Sequence, residues 1–214
     1  MPAPRRIDRA RIVDAALEII DADGLDALSM RRVALALDVE AMSLYNHVPN
    51  KDALVDAVLG RLLASVPLPK RSAPWPDQIR SMATSARKVA RAHPHAFRLA
   101  GSRPIRSPDA LPLLDRLYGE VARAGLEGAA VNEACELVIG VVLGLIQLEI
   151  NGFFAMASGD TVGGSPEAAA FPHVVAAHAA GKTHDANRFF RQGLDLVVLG
   201  VERIAARERG EAGG

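Results

Sequence analysis

Residues 44 to 54 read Leu44-Tyr45-Asn46-His47-Val48-Pro49-Asn50-Lys51-Asp52-Ala53-Leu54, a short run dense in hydrogen-bond donors. A tyrosine hydroxyl, an imidazole, a lysine ammonium and the first N–H groups of a helix opening near Lys51 all donate. Such donors suit phosphate oxygens, and phosphate contacts fix position along a nucleic-acid backbone without reading its sequence. Each residue also has an ordinary explanation. Tyr45 could be half-buried packing, His47 a neutral group at a helix end, and Arg31-Arg32 a solvated helix face.

Those donors need a rigid frame, and the flanking sequence reads as four helices. Ile12, Ala16, Ile19 and Ile20 recur at helical spacing behind Asp8, which can cap them, and Gly24 stands where a left-handed stop is wanted. Ser29 can cap a short second helix carrying Val33, Ala34 and Leu37 on one face. Asp38-Val39 makes a tight turn, and Glu40 opens a third helix anchored by Val39 and Leu44. A fourth runs from Lys51 to about Ala64, with Leu54, Val55, Val58 and Leu62 facing inward. Helices this short are unstable alone, so the short ones must pack on the longer. From Ser29 to Val48 the spacing fits a helix-turn-helix, in which small Ala34 lets two helices cross closely.

With the run from Leu44 to Leu54 added, residues 7 to 63 resemble the TetR family of bacterial repressors. The resemblance implies that Tyr45 and His47 clamp the phosphate backbone of double-stranded operator DNA, and that Lys51 adds a phosphate contact. It also implies that Arg31, Ala41, Met42, Ser43 and Asn46 face the major groove. Arg31 can form a bidentate contact with guanine, and Asn46 can pair with adenine or reach phosphate. Ala41 and Met42 offer only apolar contact, as to a thymine methyl, so specificity should lean on Arg31, Ser43 and Asn46. The sequence departs from the family at Asp38, where glycine is usual, and at Asn46, where an aromatic residue or arginine is common. Neither departure breaks the fold; the second affects which operator is read.

Totals of charge oppose this reading. The chain of 214 residues is formally neutral, and residues 1 to 64 hold 8 Lys+Arg against 10 Asp+Glu. A basic face then requires the fold to separate Arg5, Arg6, Arg9, Arg11, Arg31, Arg32 and Lys51 from the block Asp14, Glu18, Asp21, Asp23 and Asp26. Cys135 is the single cysteine, which excludes an intramolecular disulfide and fits a reducing compartment, with a buried structural role expected. Asp14 and Glu18 interrupt the N-terminal apolar stretch, so it cannot be the core of a signal peptide. The most apolar window, Val138 to Ile146, is too short to span a bilayer and reads as a buried helix. A cytoplasmic protein without a membrane partner is expected.

Pro67, Pro69, Pro74 and Pro76 resist helix and mark an elbow, which divides the chain into a head (1–66) and an effector and dimerisation part (67–214). Beyond it, Ile79 to Ala90 keep helical period until His93-Pro94, and a short helix near Ala96 to Ala100 follows. Ser107-Pro108 caps a helix running to Gly125, with a distortion expected at Pro112. A helix from near Ala130 to Met156 is apolar almost all round, as buried helices are. A loose stretch from Ala157 to Gly181 includes one helix around Ala168 to Ala180, and a last helix follows Thr183. Gly140 and Gly144 would let another helix approach, and Phe190, Leu194, Val197 and Val201 form the matching stripe of a four-helix homodimer interface; the alternative is a contact within one chain.

Gly101-Ser102-Arg103-Pro104 resembles a loop of the tetracycline-binding family members, which implies a small-molecule effector. Phe97, Arg103, Leu117, Gln147 and Glu149 are the residues expected around it. Those members carry a metal-ligand histidine where this chain has Leu99, so no metal and no cofactor are expected. His93 and His95 flank the Pro94 bend, with ligation the alternative, and His173 and His178 are five apart rather than four. The expectation is an all-α protein of about nine to ten helices, a three-helix helix-turn-helix head plus a helical body. It acts as a dimeric repressor, released from a palindromic operator when an effector favours the other conformation. A full swing of that equilibrium needs about 5.5 kcal/mol of differential affinity. An activator, a small helical enzyme and an interaction scaffold remain as alternatives, and no nucleophile constellation or phosphate loop supports the enzyme.

Overall fold

The computed structural model describes residues 7–153, 165–180 and 185–210. Arg5, Arg6, Met156, Thr183 and the glycines of the stretch from 154 to 164 lie outside them. Among the described residues there are ten α-helices and no strand, arranged in two compact units that divide after Glu120.

The first unit opens with α1 (Arg9–Asp23), whose first turn is closed by the Arg11 amide donating to Asp8 Oδ1 at 2.9 Å. Gly24 ends it at φ 82°. In α2 (Met30–Leu37) the Arg32 amide donates to Ser29 Oγ at 3.2 Å, supplying the expected cap. Asp38 then takes the left-handed conformation at φ 53°, and the Val39 amide donates to Ala34 O at 3.0 Å. That reversal turns the chain into α3 (Ala41–Tyr45), only five residues long. In α4 (Lys51–Ala64) the Ala53 amide donates to the Asn50 side chain at 2.8 Å, a cap within the donor-rich run itself.

Ile12, Ile20, Leu28, Leu44, Leu54 and Leu62 are all but fully buried in the core of this head. Each such side chain contributes roughly 1.5–3 kcal/mol on burial, which explains how helices of eight and five residues persist. α4 is buried on most of its surface because α1 covers one side while α6 (Pro94–Phe97) and a 3-10 turn at Pro108–Ala110 cover others. Gly60 permits the second contact: a Cβ there would lie 2.1 Å from Ser107 Oγ. α5 (Trp75–Ala92) precedes α6, and α7 (Leu111–Ala122) closes the unit.

Two expectations are corrected here. The short helix spans Pro94–Phe97, not 96 to 100, because Pro94 starts it at the position where a missing N–H costs nothing. The distortion foreseen at Pro112 is a break: Ser107 caps the Pro108–Ala110 turn, and the α-helix proper begins at Leu111.

The second unit contains α8 (Ala129–Ile150), α9 (Pro172–Ala180) and α10 (Ala186–Glu208). Asp185 caps α10, the Asn187 amide donating to it at 2.8 Å. These amide donors, Arg188 first, hold the exposed Asp185 carboxyl below its ordinary pKa. α8 and α10 pack closely where Gly193 leaves room; a Cβ there would sit 2.5 Å from Leu145 Cδ1.

α8 stops at Ile150, short of the expected Met156, because Gly152 reverses the backbone at φ 74°. Nor is it buried all round. Ala134, Val138, Leu145 and Ile146 are buried, while Leu137 is 58% exposed and Val141 and Leu148 are also open. At 22 residues it is long and apolar enough to cross a membrane by composition, which the nine-residue window did not reveal. The region expected as one helix from 168 to 180 is a 3-10 turn, Pro166–Ala170, followed by α9.

Candidate nucleic-acid interface

α3 is held by its inward residues. Leu44 and Val48 are buried, and the His47 and Val48 amides both donate to Leu44 O at 2.9 Å. This tight turn presents Tyr45, Asn46 and His47 to solvent, Tyr45 at 44% exposure. Met42 is 74% exposed, and Ala41 and Ser43 are half-buried. Arg31 is exposed on α2, which packs on α3, and Lys51 is exposed at the first position of α4. All eight side chains expected to meet DNA therefore reach solvent, on two helices and a helix start sharing one core. In such an array the hydroxyl, imidazole and ammonium donate to phosphate, and a guanidinium can reach a base edge.

The surplus of acid in the head is partly taken up by partners within the unit. Asp8 caps α1. Asp14 accepts from Arg61 Nε at 2.9 Å, and Asp23 pairs with Arg32. The remaining partners come from outside the head. His93 Nδ1 donates to Asp21 Oδ2 at 2.6 Å, and His95 Nδ1 donates to Asp21 O at 3.1 Å. Arg103 Nε lies 2.9 Å from Asp56 Oδ1, and Arg106 lies 3.9 Å from the other oxygen. Arg103 also approaches Asp52, at 3.9 Å; in the opposite sense, the head's Arg9 donates to Asp109 at 3.3 Å. Arg31 and Lys51, by contrast, form no ion pair among the described residues. Among the described residues Asp8, Asp14, Asp21, Asp23, Asp52 and Asp56 thus have partners within the unit, Glu18, Asp26, Asp38 and Glu40 do not, and these two cations stay open to a polyanion.

One of the residues expected around the effector takes part in these pairs. Arg103 turns to Asp56 on α4, so it is part of the joint between α4 and the loop from 101 to 106. Phe97 and Leu117 are buried in the first unit, and Gln147 and Glu149 are half-buried near the end of α8 in the second. His93 and His95 do more than flank a proline, since both bond to Asp21 at the end of α1. Nothing in the sequence spacing signalled these joints, whose partners are 47 to 74 positions apart.

The dimer assignment divides. Gly140 and Gly144 are exposed, with nothing among the described residues within 4 Å of an added Cβ. Phe190, Leu194, Val197 and Val201 are buried within the chain, at most 7% exposed, because this stripe of α10 turns inward. The open side of α10 carries Leu196 and Leu199 instead, the former 69% exposed. Together with Val141, Leu145 and Phe189 they line an apolar groove of about 580 Å³ along the α8–α10 seam.

Sequence reasoning also missed a buried polar cluster of Gln78, Arg116 and Glu120. The signal available was Arg116 and Glu120 at i,i+4 on a largely apolar helix.

This arrangement of a short recognition-type helix on a helical body is shared with known proteins. Residues 12–58 match the family described as bacterial regulatory proteins, tetR family, and residues 68–205 match the tetracyclin repressor-like C-terminal domain. The chain belongs to the TetR family of transcriptional regulators. It is 39% identical over 140 residues to an HTH-type transcriptional regulator of Saccharopolyspora erythraea, covering 65% of this chain and 59% of that one. It is 33% identical over 142 residues to the HTH-type transcriptional repressor DrrR1 of Streptomyces coeruleorubidus, covering 65% and 53%. The match thus spans between half and three fifths of each relative's length. The TetR family protein ActR of Streptomyces coelicolor, solved in complex with actinorhodin, is 31% identical with a TM-score of 0.79, over 94% of this chain and 99% of that one.

Proposed function

We propose that this protein is a homodimeric transcriptional repressor that binds a palindromic operator and leaves it when a small-molecule effector binds. Residues 1–66 form the DNA-binding part and residues 67–214 the effector and dimerisation part. The protein works in the cytoplasm, where the DNA is, and it performs no catalysis. The observation that carries the reading is the exposed set Tyr45, Asn46, His47, Lys51 and Arg31 around a buried Leu44 anchor, in a head where Asp14, Asp21 and Asp56 are paired to other residues.

In this mechanism Tyr45, His47 and Lys51 grip phosphates and set the register of α3 in the major groove. Arg31, Ser43 and Asn46 then read base edges, while Ala41 and Met42 make apolar contact. A palindrome calls for two heads related by a two-fold axis. The open sides of α8 and α10 supply a surface for that symmetry: Leu137, Gly140, Val141, Gly144 and Leu148 on one helix, Leu196 and Leu199 on the other. The ActR complex supports a small-molecule input.

Fluorescence anisotropy with labelled duplex from the gene's own upstream region tests the reading. Affinity should fall steeply with salt, and Tyr45→Phe combined with Lys51→Ala should weaken every duplex and lower the salt slope by about 1 to 2. Arg31→Ala should cost about 1–3 kcal/mol on the upstream duplex and much less on scrambled DNA. Binding that is indifferent to salt and to all three substitutions would overturn it.

A further inference from the structure

Charged side chains are rarely buried, because desolvation costs several kcal/mol per ion unless partners are well placed. Arg116 and Glu120 are 7% and 2% exposed, and Gln78 beside them is 1% exposed. Packing alone does not call for them: apolar residues of similar volume often hold a core as well or better. What the cluster contacts is the proline-rich elbow. Arg116 Nη2 donates to Pro69 O and to Gln78 Oε1, both at 2.8 Å, and Gln78 Nε2 donates to Lys70 O at 2.6 Å. Arg116 Nε lies 2.9 Å from Glu120 Oε1, one helical turn away on α7. Two consecutive carbonyls of the elbow are thus held by side chains of α5 and α7. The elbow needs such outside help, because Pro67, Pro69 and Pro74 have no N–H with which to build local turns.

We propose that Arg116, Gln78 and Glu120 form a clasp that selects one conformation of the elbow and so sets how the reading head is held for operator binding. They are positioning residues that never touch DNA; Glu120 orients the guanidinium and balances its charge, and Arg116 and Gln78 grip the elbow. The DNA half of this inference rests on the function proposed above, whereas the clasp itself can be tested without DNA.

Lys70 and Arg71 are exposed within the elbow, so trypsin reports on it directly. The informative variant is the double substitution Arg116→Met with Glu120→Leu, which removes the buried ions together and leaves neither charge stranded. It should keep its helical circular dichroism and its urea midpoint, yet be cut after Lys70 and Arg71 roughly tenfold faster, the effect of losing about one net hydrogen bond. Its affinity for the upstream duplex should fall by a similar factor with the salt slope unchanged, since no phosphate contact is lost. Gln78→Leu, which frees Lys70 O and removes one bond of Arg116 but leaves the Arg116 contact with Pro69 O, should show a smaller effect of the same kind. Unchanged elbow cleavage, or equal acceleration at every site, would overturn the clasp. Faster elbow cleavage with undiminished DNA affinity would overturn its positioning role. If the unsubstituted protein binds no duplex while the elbow still loosens on substitution, the functional reading fails and the clasp stands.

Discussion

Arg31 and Met42 are both exposed on the head, but they differ in what they can say to a base pair. A guanidinium presents a planar fork that matches guanine, whereas a thioether has only weak acceptor capacity and an apolar surface. Discrimination should therefore concentrate in a few base pairs under α2 and the end of α3. Cys135 lies at the opposite extreme. It is fully buried on α8, and burial pushes its thiol up to about 11 from an ordinary value of 9.0. The folded state holds this proton more tightly than the unfolded one, so the contribution is fully present below pH 9 and is lost as pH rises through 11. Urea midpoints should fall across that window, and a Cys135→Ala variant should fall less steeply. Alkylation by iodoacetamide at pH 8 should be slow in the native protein and fast in denaturant.

Among the elements, the turn between α2 and α3 places a β-carbon where glycine is at ease. Asp38 sits at φ 53°, a conformation its short polar side chain tolerates and a branched one does not. Asp38→Val should destabilise the protein by about 1–2 kcal/mol and Asp38→Gly should leave it unchanged or slightly more stable, measured by urea unfolding. Much of this architecture was legible locally. Asp8, Ser29 and Gly24 announce helix ends because caps act through a few neighbouring atoms, and the period of Leu54, Val55, Val58 and Leu62 gives α4 its inner face. What the periodicity of α8 could not give was which side of an apolar helix is covered. Valine and leucine on every side are compatible with complete burial, and only the docking of α10 through Gly193 separates Leu145 inside from Leu137 outside. The Asp56–Arg103 and Asp21–His93 joints were hidden for a related reason. Pairing across 47 or 72 positions depends on tertiary packing and leaves no pattern in the chain.

For the whole molecule, the open apolar side of the second unit predicts self-association. Among the described residues nothing lies within 4 Å of a Cβ added at Gly140 or Gly144, so Gly140→Arg with Gly144→Arg should leave helix content and unfolding midpoint nearly unchanged. In sedimentation equilibrium the wild type should be a dimer and this variant a monomer, because paired guanidinium groups would be buried against apolar helices without partners. Operator affinity should fall with it, since a single head forfeits the second half-site. A variant that remains dimeric would assign the surface elsewhere.

The matching of Asp21, Asp52 and Asp56 by His93, Arg103 and Arg106 bears on how such regulators can be recombined. Residues 1–66 transplanted to a foreign body would carry 8 Lys+Arg against 10 Asp+Glu, a net charge of −2, and would leave His93, Arg103 and Arg106 behind. Asp21, Asp52 and Asp56 would then add their repulsion to every approach toward a polyanion. A graft ending at Ala110 takes these partners with it, along with the turn that Gly60 admits against α4. The exchangeable part of this regulator, for anyone wiring its operator to a new signal, is therefore the first half of the chain rather than its first third.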